Sequence, residues 1–278
     1  METIRLDGRV LAAQIQQQLR TEVANLSRAP HLAVVLVGEN PASSLYVSMK
    51  QKAAETVGIH TAVYHLPQQT STDELIQTIQ NLNKDQTVDG ILVQLPLPRE
   101  IDTNAVIESI DPKKDADGLT SKNQGGLMTG YPTLLPCTPL GCLRLIKQVR
   151  QNLDGLNAVV VGRSRLVGRP MAQLLLNENC TVLQAHSHTQ NLAEICSKAD
   201  ILVSATGVQH LIKREFVKPG AIVIDVGISK TAEGRVAGDV DEGVWGVAGW
   251  LTPVPGGVGP MTVAMVMSNM VNIVKNRS

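Results

Sequence analysis

Short apolar segments alternate with segments of helical periodicity along almost the whole chain, and this alternation constrains the fold more than any other feature. Apolar-rich runs at 31–37, 91–95, 158–161 and 181–185 are each followed by residues with apolar side chains at helical spacing. Such alternation is typical of parallel sheets, because each helix carries the chain back to the start of the next strand. We therefore predict an α/β protein, and the length of 278 residues suits two domains.

The same patterns predict the individual elements. In the first half we predict strands at 31–37, 59–65 and 91–95, and helices at 43–57, from Ser71 onward and at 104–109. Ser71 and Glu74 have the spacing of a capping box, which marks a helix start. In the second half we predict helices at 140–150, 168–176, 191–196 and 260–275, and strands at 158–161, 181–185, 201–204 and 221–226. Residues 111–139, rich in Gly, Pro, Asn and Asp, are interpreted as a loop and inter-domain linker.

Composition excludes several classes of protein. The 25 basic residues balance 25 acidic ones, and one Phe, three Tyr and two Trp are too few to stack nucleic-acid bases. The apolar stretch 244–274 is interrupted by Pro253, Pro255 and Pro260, so it cannot form one membrane helix. Four cysteines without a C-x-x-C pair, and an N-terminus without a signal peptide, suit free buried thiols in a reducing compartment. We predict a cytoplasmic protein that binds neither nucleic acid nor a membrane and holds no metal.

The zero net charge hides an asymmetry between the two halves. Residues 1–135 hold 11 Lys and Arg against 15 Asp and Glu, whereas residues 136–278 hold 14 against 10. A positive second half suits a phosphate-bearing ligand, although an excess of this size also arises by chance.

A glycine-containing turn follows the predicted strand 158–161. The turn reads Gly162-Arg163-Ser164, and Gly168 opens the following helix. A strand, a glycine turn and a helix start form the context in which dinucleotide pyrophosphates bind. Ser164 stands where the G-x-G-x-x-G motif has its middle glycine, so a purely structural tight turn remains an alternative. Arg165 and Arg169, together with Arg163, favour a phosphate site.

The next predicted strand indicates which dinucleotide binds. It ends in His186-Ser187-His188-Thr189, without an acidic residue. NAD-specific sites usually place an acid there to bind the ribose 2′-OH. Hydroxyl and imidazole groups near Arg163 suit an additional phosphate instead, so we predict NADP as the cofactor.

A lysine lies on the apolar face of the predicted helix 43–57. Tyr46, Lys50, Ala53, Ala54 and Val57 form one stripe at helical spacing. Burial would lower the pKa of Lys50 toward a value useful in proton transfer. The alternative is that its ammonium reaches out into water.

Two further polar residues accompany this lysine in the first half. Gln94 interrupts the apolar strand 91–95 near its carboxyl end, where ligands bind in open α/β sheets. Asp117 precedes Gly118 in a loop, where capping of a turn is the alternative to a functional role. A lysine, an amide and a carboxylate in one domain can together form a site.

Taken together, these segments resemble the bifunctional methylenetetrahydrofolate dehydrogenase/cyclohydrolase family. The matching stretches are SSLYV at 43–47 with Lys50, DGILVQLPLP at 89–98, KDADG at 114–118, PCTP at 136–139, GRS at 162–164 through Pro170, KPG at 218–220, VGI at 226–228, GDV at 238–240 and TPVPGGVGPMT at 252–262. They span nearly the whole chain in order.

The resemblance implies two domains flanking a cleft. One is a catalytic, folate-binding domain of residues 1–120, with the C-terminal helix 260–278 packed back on it. The other, residues 136–255, is a Rossmann-type parallel sheet with helices on both faces that binds NADP. The resemblance also implies a homodimer that acts on a small folate substrate.

The family pattern implies a role for each matching residue. Lys50 would be the general acid/base, Gln94 and Asp117 would orient it and the pterin ring, and Tyr46 would pack on the folate. The NADP contacts would be Gly162, Arg163, Ser164, Gly168, Ser187 and Ile228. The folate site would also be bordered by Val93, Leu95, Pro255, Gly256, Gly257, Val258 and Gly259.

The chain departs from the family pattern beside the folate site. Leu119-Thr120-Ser121 stands where Phe-His-Pro is usual, Ala116 replaces a usual Val, and Glu242 replaces an aromatic residue. Two other functions stay open: a two-domain NADP dehydrogenase of the shikimate type, and a non-catalytic NADP-binding redox sensor.

Overall fold

The computed structural model describes residues 2–131, 134–231 and 234–277. The strands in chain order are β1 (Ile4–Arg5), β2 (His31–Val37), β3 (His60–Leu66), β4 (Gly90–Val93), β5 (Asn157–Val161), β6 (Thr181–Ala185), β7 (Ile201–Ser204), β8 (Ile222–Asp225), β9 (Ser229–Lys230), β10 (Val236–Ala237) and β11 (Trp250–Leu251). The α-helices are α1 (Gly8–Ala24), α2 (Pro41–Val57), α3 (Thr72–Lys84), α4 (Thr103–Glu108), α5 (Ser121–Thr129), α6 (Cys137–Val149), α7 (Gly168–Asn177), α8 (Leu192–Cys196) and α9 (Val258–Lys275).

Contacts divide the chain into two compact units. The three-strand unit comprises Ala13–Cys137 and Val263–Ser278, and the six-strand unit comprises Met1–Ala12 and Thr138–Thr262. The α/β class and the two-domain organisation are therefore confirmed.

The three-strand unit is built on a parallel sheet in the order β3-β2-β4. The central strand β2 is apolar after His31 and buried, as expected for a parallel strand covered on both faces. Leu75, Ile79 and Leu82 of α3 pack into the core on this sheet. The predicted capping box is present, because Ser71 and Glu74 exchange side-chain and backbone hydrogen bonds at the start of α3.

The six-strand unit is a parallel sheet in the order β1-β11-β8-β7-β5-β6. Its central strands β7 and β8 are buried along their whole length. Ile4 and Arg5 pair with Trp250 and Leu251, so β1 covers the edge that β11 would otherwise expose. Residues 4–5 thus lie in this sheet, although the family resemblance implies that residues 1–120 belong to the other domain.

One predicted loop contains a helix. Residues 121–129 form α5 inside the stretch 111–139, of which residues 132–133 lie outside the described residues. Thr120 caps the helix, and the buried Asp115 carboxylate accepts hydrogen bonds from Thr120 N at 2.8 Å and Asn123 Nδ2 at 2.9 Å. Two glycines within α5 and its short apolar face give little helical periodicity, so the sequence pattern does not predict this helix. The buried Asp115 carboxylate stabilises its first turn.

One further prediction about side chains is confirmed, since the four cysteines are free and buried. Met261, Met265, Met267 and Met270 on α9 are fully buried or nearly so and fill part of the core. Among the described helices, none has the length and apolarity needed to span a bilayer.

Candidate active site

Lys50 is a buried lysine on α2. Asn40 caps this helix by accepting from the backbone amides of Ala42 and Ser43, so α2 begins two residues before the predicted start. The Lys50 residue is 5% exposed, and its Nζ donates a hydrogen bond to Gln94 Oε1 at 3.0 Å. The ammonium therefore does not reach into water, whereas Lys52 on the same helix is exposed.

Gln94 follows the last residue of β4 directly. Its backbone amide donates to the Val35 carbonyl at 2.8 Å, which continues the sheet pairing by one residue. Its side-chain Nε2 donates to the Leu95 carbonyl at 2.6 Å, so the amide is oriented with Oε1 toward Lys50. Gln94 and the preceding Val93 are buried, and Leu95 is half-buried. The end of β4 thus holds the Gln94 Oε1 acceptor in a fixed position beside Lys50 Nζ.

The pKa values of Lys50 and Asp117 shift in opposite directions. Burial lowers the pKa of Lys50 below its usual range, while the charge of Asp117 acts against this shift. Burial raises the pKa of Asp117, and Lys50 opposes that change, although part of the Asp117 surface stays accessible. These shifts bring an amine and a carboxyl group closer to proton exchange near neutral pH.

Cys137 and Asn269 complete the surroundings of Asp117 and were not singled out from the sequence. Burial raises the pKa of the Cys137 thiol well above its usual value, so it stays protonated. Asn269 Nδ2 donates to the carbonyls of Ala116 at 3.0 Å and Leu135 at 2.9 Å and lies 3.3 Å from Cys137 Sγ. The available signal was a polar residue within a largely apolar helix, because a buried asparagine must find hydrogen-bond partners.

Tyr46 lies one turn before Lys50 on α2. It is half-buried, and burial raises the pKa of its phenol. A partly exposed aromatic ring beside a buried amine offers a flat apolar surface to a ring-shaped ligand.

The glycine turn in the six-strand unit follows β5. Gly162 has φ +124°, and a Cβ there would overlap the Ala205 carbonyl oxygen. A Cβ at Gly168 would overlap the Gly162 carbonyl oxygen, so both positions require glycine. The predicted strand, tight turn and helix start are all present.

The amides at the start of α7 are used within the turn. Ser164 Oγ accepts from Val167 N at 3.2 Å and Gly168 N at 3.4 Å, and the Ser164 carbonyl accepts from Arg169 N at 3.1 Å. The residue after Arg169 is Pro170, which has no amide hydrogen. The helix amides on which the glycine motif usually relies are therefore already hydrogen-bonded within the turn, whereas the side chains of Arg163 and Ser164 are exposed.

The residues after β6 lie beside this turn. Gly162 N donates to the Ala185 carbonyl at 2.9 Å, and Gln184 Nε2 donates to the Gly162 carbonyl at 3.0 Å. His186 and the exposed Ser187 follow directly, and no acidic side chain occupies this strand end. Ile228, which follows β8 in the same sheet, is 53% exposed.

The proline- and glycine-rich segment 255–259 also belongs to the six-strand unit. It forms the turn into α9, and Val258 and Gly259 are the first residues of that helix. The Gly256 carbonyl accepts from Gly8 N at 3.0 Å, and Gly257 is buried against Pro253.

Two sequence profiles match the chain. The profile described as the catalytic domain of tetrahydrofolate dehydrogenase/cyclohydrolase matches residues 6–117, and the profile described as its NAD(P)-binding domain matches residues 136–278. The chain belongs to the tetrahydrofolate dehydrogenase/cyclohydrolase family. Lys50, Gln94 and Asp117 lie in the part matched by the catalytic profile, and the glycine turn lies in the part matched by the NAD(P)-binding profile.

Relatives in the tetrahydrofolate dehydrogenase/cyclohydrolase family match over the full length. The bifunctional protein FolD of Campylobacter curvus is 50% identical, over 98% of this chain and 96% of the relative. The crystal structure of the bifunctional enzyme FolD, a methylenetetrahydrofolate dehydrogenase/cyclohydrolase, from Campylobacter jejuni is 45% identical with a TM-score of 0.96, over 99% of this chain and 100% of that chain. The Trypanosoma brucei dehydrogenase-cyclohydrolase complexed with NADP and inhibitor is 36% identical with a TM-score of 0.94, over 100% and 99% of the two chains.

A more distant likeness concerns the alternative dehydrogenase. The shikimate dehydrogenase of Aquifex aeolicus has a TM-score of 0.56 at 12% identity, over 90% of this chain and 98% of that chain. This likeness shows a shared fold and says nothing of shared chemistry.

Proposed function

We propose that this chain oxidises 5,10-methylenetetrahydrofolate with NADP and hydrolyses the 5,10-methenyl product to 10-formyltetrahydrofolate. The observation that carries the proposal is the buried Lys50 amine, held by Gln94 and facing the charge of Asp117, in a member of this family. Such a site supplies what the hydrolytic step needs, because that step transfers protons and the hydride transfer chiefly needs alignment of two ligands.

Lys50 carries the proton transfers of hydrolysis. Water attacks the methenyl carbon and loses a proton, and the bond from that carbon to N5 breaks as N5 gains a proton. The neutral Lys50 amine accepts the first proton, and the resulting ammonium donates the second. The remaining hydroxyl proton leaves to water as the formyl C=O forms, so hydrolysis of the methenyl cation releases one proton overall. Burial makes this cycle feasible, because a lowered pKa raises the fraction of neutral amine at physiological pH.

Gln94 and Asp117 orient the lysine and the pterin ring. The Gln94 carbonyl oxygen fixes the direction of Lys50 Nζ, and the Asp117 charge limits how far the lysine pKa falls. Tyr46 packs its ring on the folate. Val93 and Leu95 flank Gln94 at the same strand end and contribute apolar surface to the substrate site.

The residues around the glycine turn fit NADP. When bound, the cofactor supplies the nicotinamide ring that accepts the hydride. Gly162 and Gly168 carry no Cβ atoms, and Arg163, Ser164 and Ser187 offer positive charge and hydroxyl groups, with no acidic residue at 186–189 after β6. Ile228 offers exposed apolar surface after β8, at the carboxyl edge of the same sheet.

Further parts of the proposal follow from family membership. Pro255, Gly256, Gly257, Val258 and Gly259 would border the folate. The protein would act as a homodimer in the cytoplasm.

A spectrophotometric assay tests the proposed function. With 5,10-methylenetetrahydrofolate we expect reduction of NADP and formation of 10-formyltetrahydrofolate, and a higher kcat/KM with NADP than with NAD. Oxidation of shikimate in place of the folate would favour the alternative dehydrogenase. Binding of NADP without turnover of either substrate would favour a redox sensor.

A further inference from the structure

Two carboxylates are buried at the carboxyl edge of the six-stranded sheet. Asp225 is the last residue of β8 and is 4% exposed, and Asp239, which follows β10, is fully buried. Buried carboxylates are costly unless several donors surround them. The hydrogen-bond donors to these two side chains lie at the end of β7 and in the segments that follow β7, β8 and β10.

Asp225 holds the loop after its own strand. Its Oδ1 accepts from Gly227 N and Asp239 N, both at 2.9 Å, and its Oδ2 accepts from Val240 N at 2.9 Å. A Cβ at Gly227 would overlap the Asp239 carboxylate, so the backbone after β8 and the side chain of Asp239 pack too closely for any residue but glycine at 227. The residue after Gly227 is Ile228, one of the proposed cofactor contacts. Asp225 therefore fixes the backbone that presents Ile228.

Asp239 holds the loop after β7. Its Oδ2 accepts three hydrogen bonds, from Ser204 Oγ at 2.9 Å, Thr206 N at 2.7 Å and Thr206 Oγ1 at 2.9 Å. Its Oδ1 is buried without a hydrogen-bond partner. The hydrogen bonds to the Asp239 side chain therefore all come from Ser204 at the end of β7 and Thr206 in the loop that follows it.

That loop supports the glycine turn. Ala205, between the two residues that Asp239 holds, donates from its amide to the Val161 carbonyl at 2.8 Å. The Ala205 carbonyl oxygen lies against Gly162, where a Cβ would overlap it. A continuous series of contacts thus connects Asp239, through Thr206 and the adjacent Ala205, to Gly162.

We infer that Asp239 is a positioning residue for NADP, acting through Thr206 and Ala205 on the turn at Gly162. The inference rests on the proposed function, because it takes Gly162 and Ile228 as cofactor contacts. Asp239 itself is covered by protein and acts only through the loops that it holds.

Asp239→Asn is the first test. The amide keeps the shape of the side chain but removes the charge, and bonds to a charged acceptor are roughly twice as strong as neutral ones. We expect the Kd for NADP, measured by calorimetry on the full chain, to rise at least tenfold, and the KM for NADP to rise with it. The cyclohydrolase rate, measured with 5,10-methenyltetrahydrofolate and no NADP, should stay within twofold of wild type.

The control is a carboxylate at the opposite edge of the same sheet. Asp200 accepts from Lys218 Nζ at 2.6 Å and from Asn157 N at 2.9 Å, at the amino ends of these strands. Asp200→Asn also removes a hydrogen-bonded charge from this unit, and it should leave the Kd for NADP unchanged.

A second pair of variants keeps Asp239 intact. Thr206→Val removes the hydroxyl that donates to Asp239, and Thr206→Ser retains it. The valine variant loses the bond to Asp239 and the bond that the hydroxyl accepts from Val208 N at 3.1 Å. We expect a rise of about three- to tenfold in its Kd for NADP, and a wild-type Kd in the serine variant.

These measurements separate the inference from the proposed function. A wild-type Kd for NADP in both Asp239→Asn and Thr206→Val would overturn the inference, as would an equal loss of cofactor binding and cyclohydrolase activity. If Asp239→Asn does not fold, the two Thr206 variants decide alone. If the wild-type chain binds NADP but does not turn over the folate, the proposed function fails while the Kd test of Asp239 still stands.

Discussion

Lys50→Met removes the buried amine and keeps a flexible side chain of similar length. General acid–base catalysis contributes roughly 10²- to 10⁴-fold to a rate, so we expect the cyclohydrolase rate to fall by at least about 100-fold, or about 3 kcal/mol. The dehydrogenase loses only the orienting bond from Lys50 Nζ to Gln94 Oε1, and a fall of about tenfold, or about 1.4 kcal/mol, is expected. The two activities of one chain should therefore separate.

The stability of the variant bears on how the loss is interpreted. Because burial lowers the pKa of Lys50, the folded state binds this proton less tightly than the unfolded state. Below the pKa of Lys50 in the folded state, the buried charge lowers the free energy of unfolding by its full amount. This cost shrinks as the pH rises from that pKa to the pKa of the unfolded state, and it is absent at higher pH. Methionine removes that cost but leaves Gln94 Oε1 without its donor, so these effects oppose one another and the melting temperature should change little.

The assay follows loss of the methenyl absorbance for hydrolysis and formation of NADPH for oxidation. Lys52→Met is the matched control, since Lys52 is exposed two residues further along the same helix, and both activities should be unaffected. A folded Lys50→Met protein that hydrolyses the methenyl compound at the wild-type rate would refute the assignment of Lys50.

Three further predictions concern other parts of the molecule. Gly162→Ala places a Cβ against the Ala205 carbonyl at a φ of +124°, so NADP affinity and the melting temperature should both fall, and an unchanged Kd would contradict the fit of this turn to the cofactor. Burial raises the pKa of Asp225 from 3.8 to about 6, so its ionisation costs stability as the pH rises through that window, by up to about 3 kcal/mol. Urea unfolding at several pH values should show the wild-type protein losing stability relative to Asp225→Asn between the two pKa values, and parallel profiles would refute this. Asn269→Ala removes the amide that donates to the Ala116 and Leu135 carbonyls and should cost about 2–3 kcal/mol in the same assay, whereas a loss below about 0.5 kcal/mol would show that those bonds contribute little.

Local sequence signals predicted much of this fold. The alternation of apolar runs and helical stripes located β2, β6 and β7 at their observed bounds. The capping box at Ser71 and the glycine turn at Gly162 were also visible, because both depend on residues a few positions apart. The sequence pattern missed α5, because two glycines within this helix and its short apolar face give little helical periodicity.

The sequence by itself determined the fold class, the helix stripe that carries Lys50 and the strand end that carries Gln94, since side-chain periodicity is a property of neighbouring residues. Only the tertiary structure decided that these two residues meet, that Asn269 binds carbonyls more than 130 positions away, and that Asp239 holds the loop after β7. Such pairings join residues far apart in the chain. They are fixed by packing, which leaves a buried donor or acceptor only the partners that the fold brings within reach.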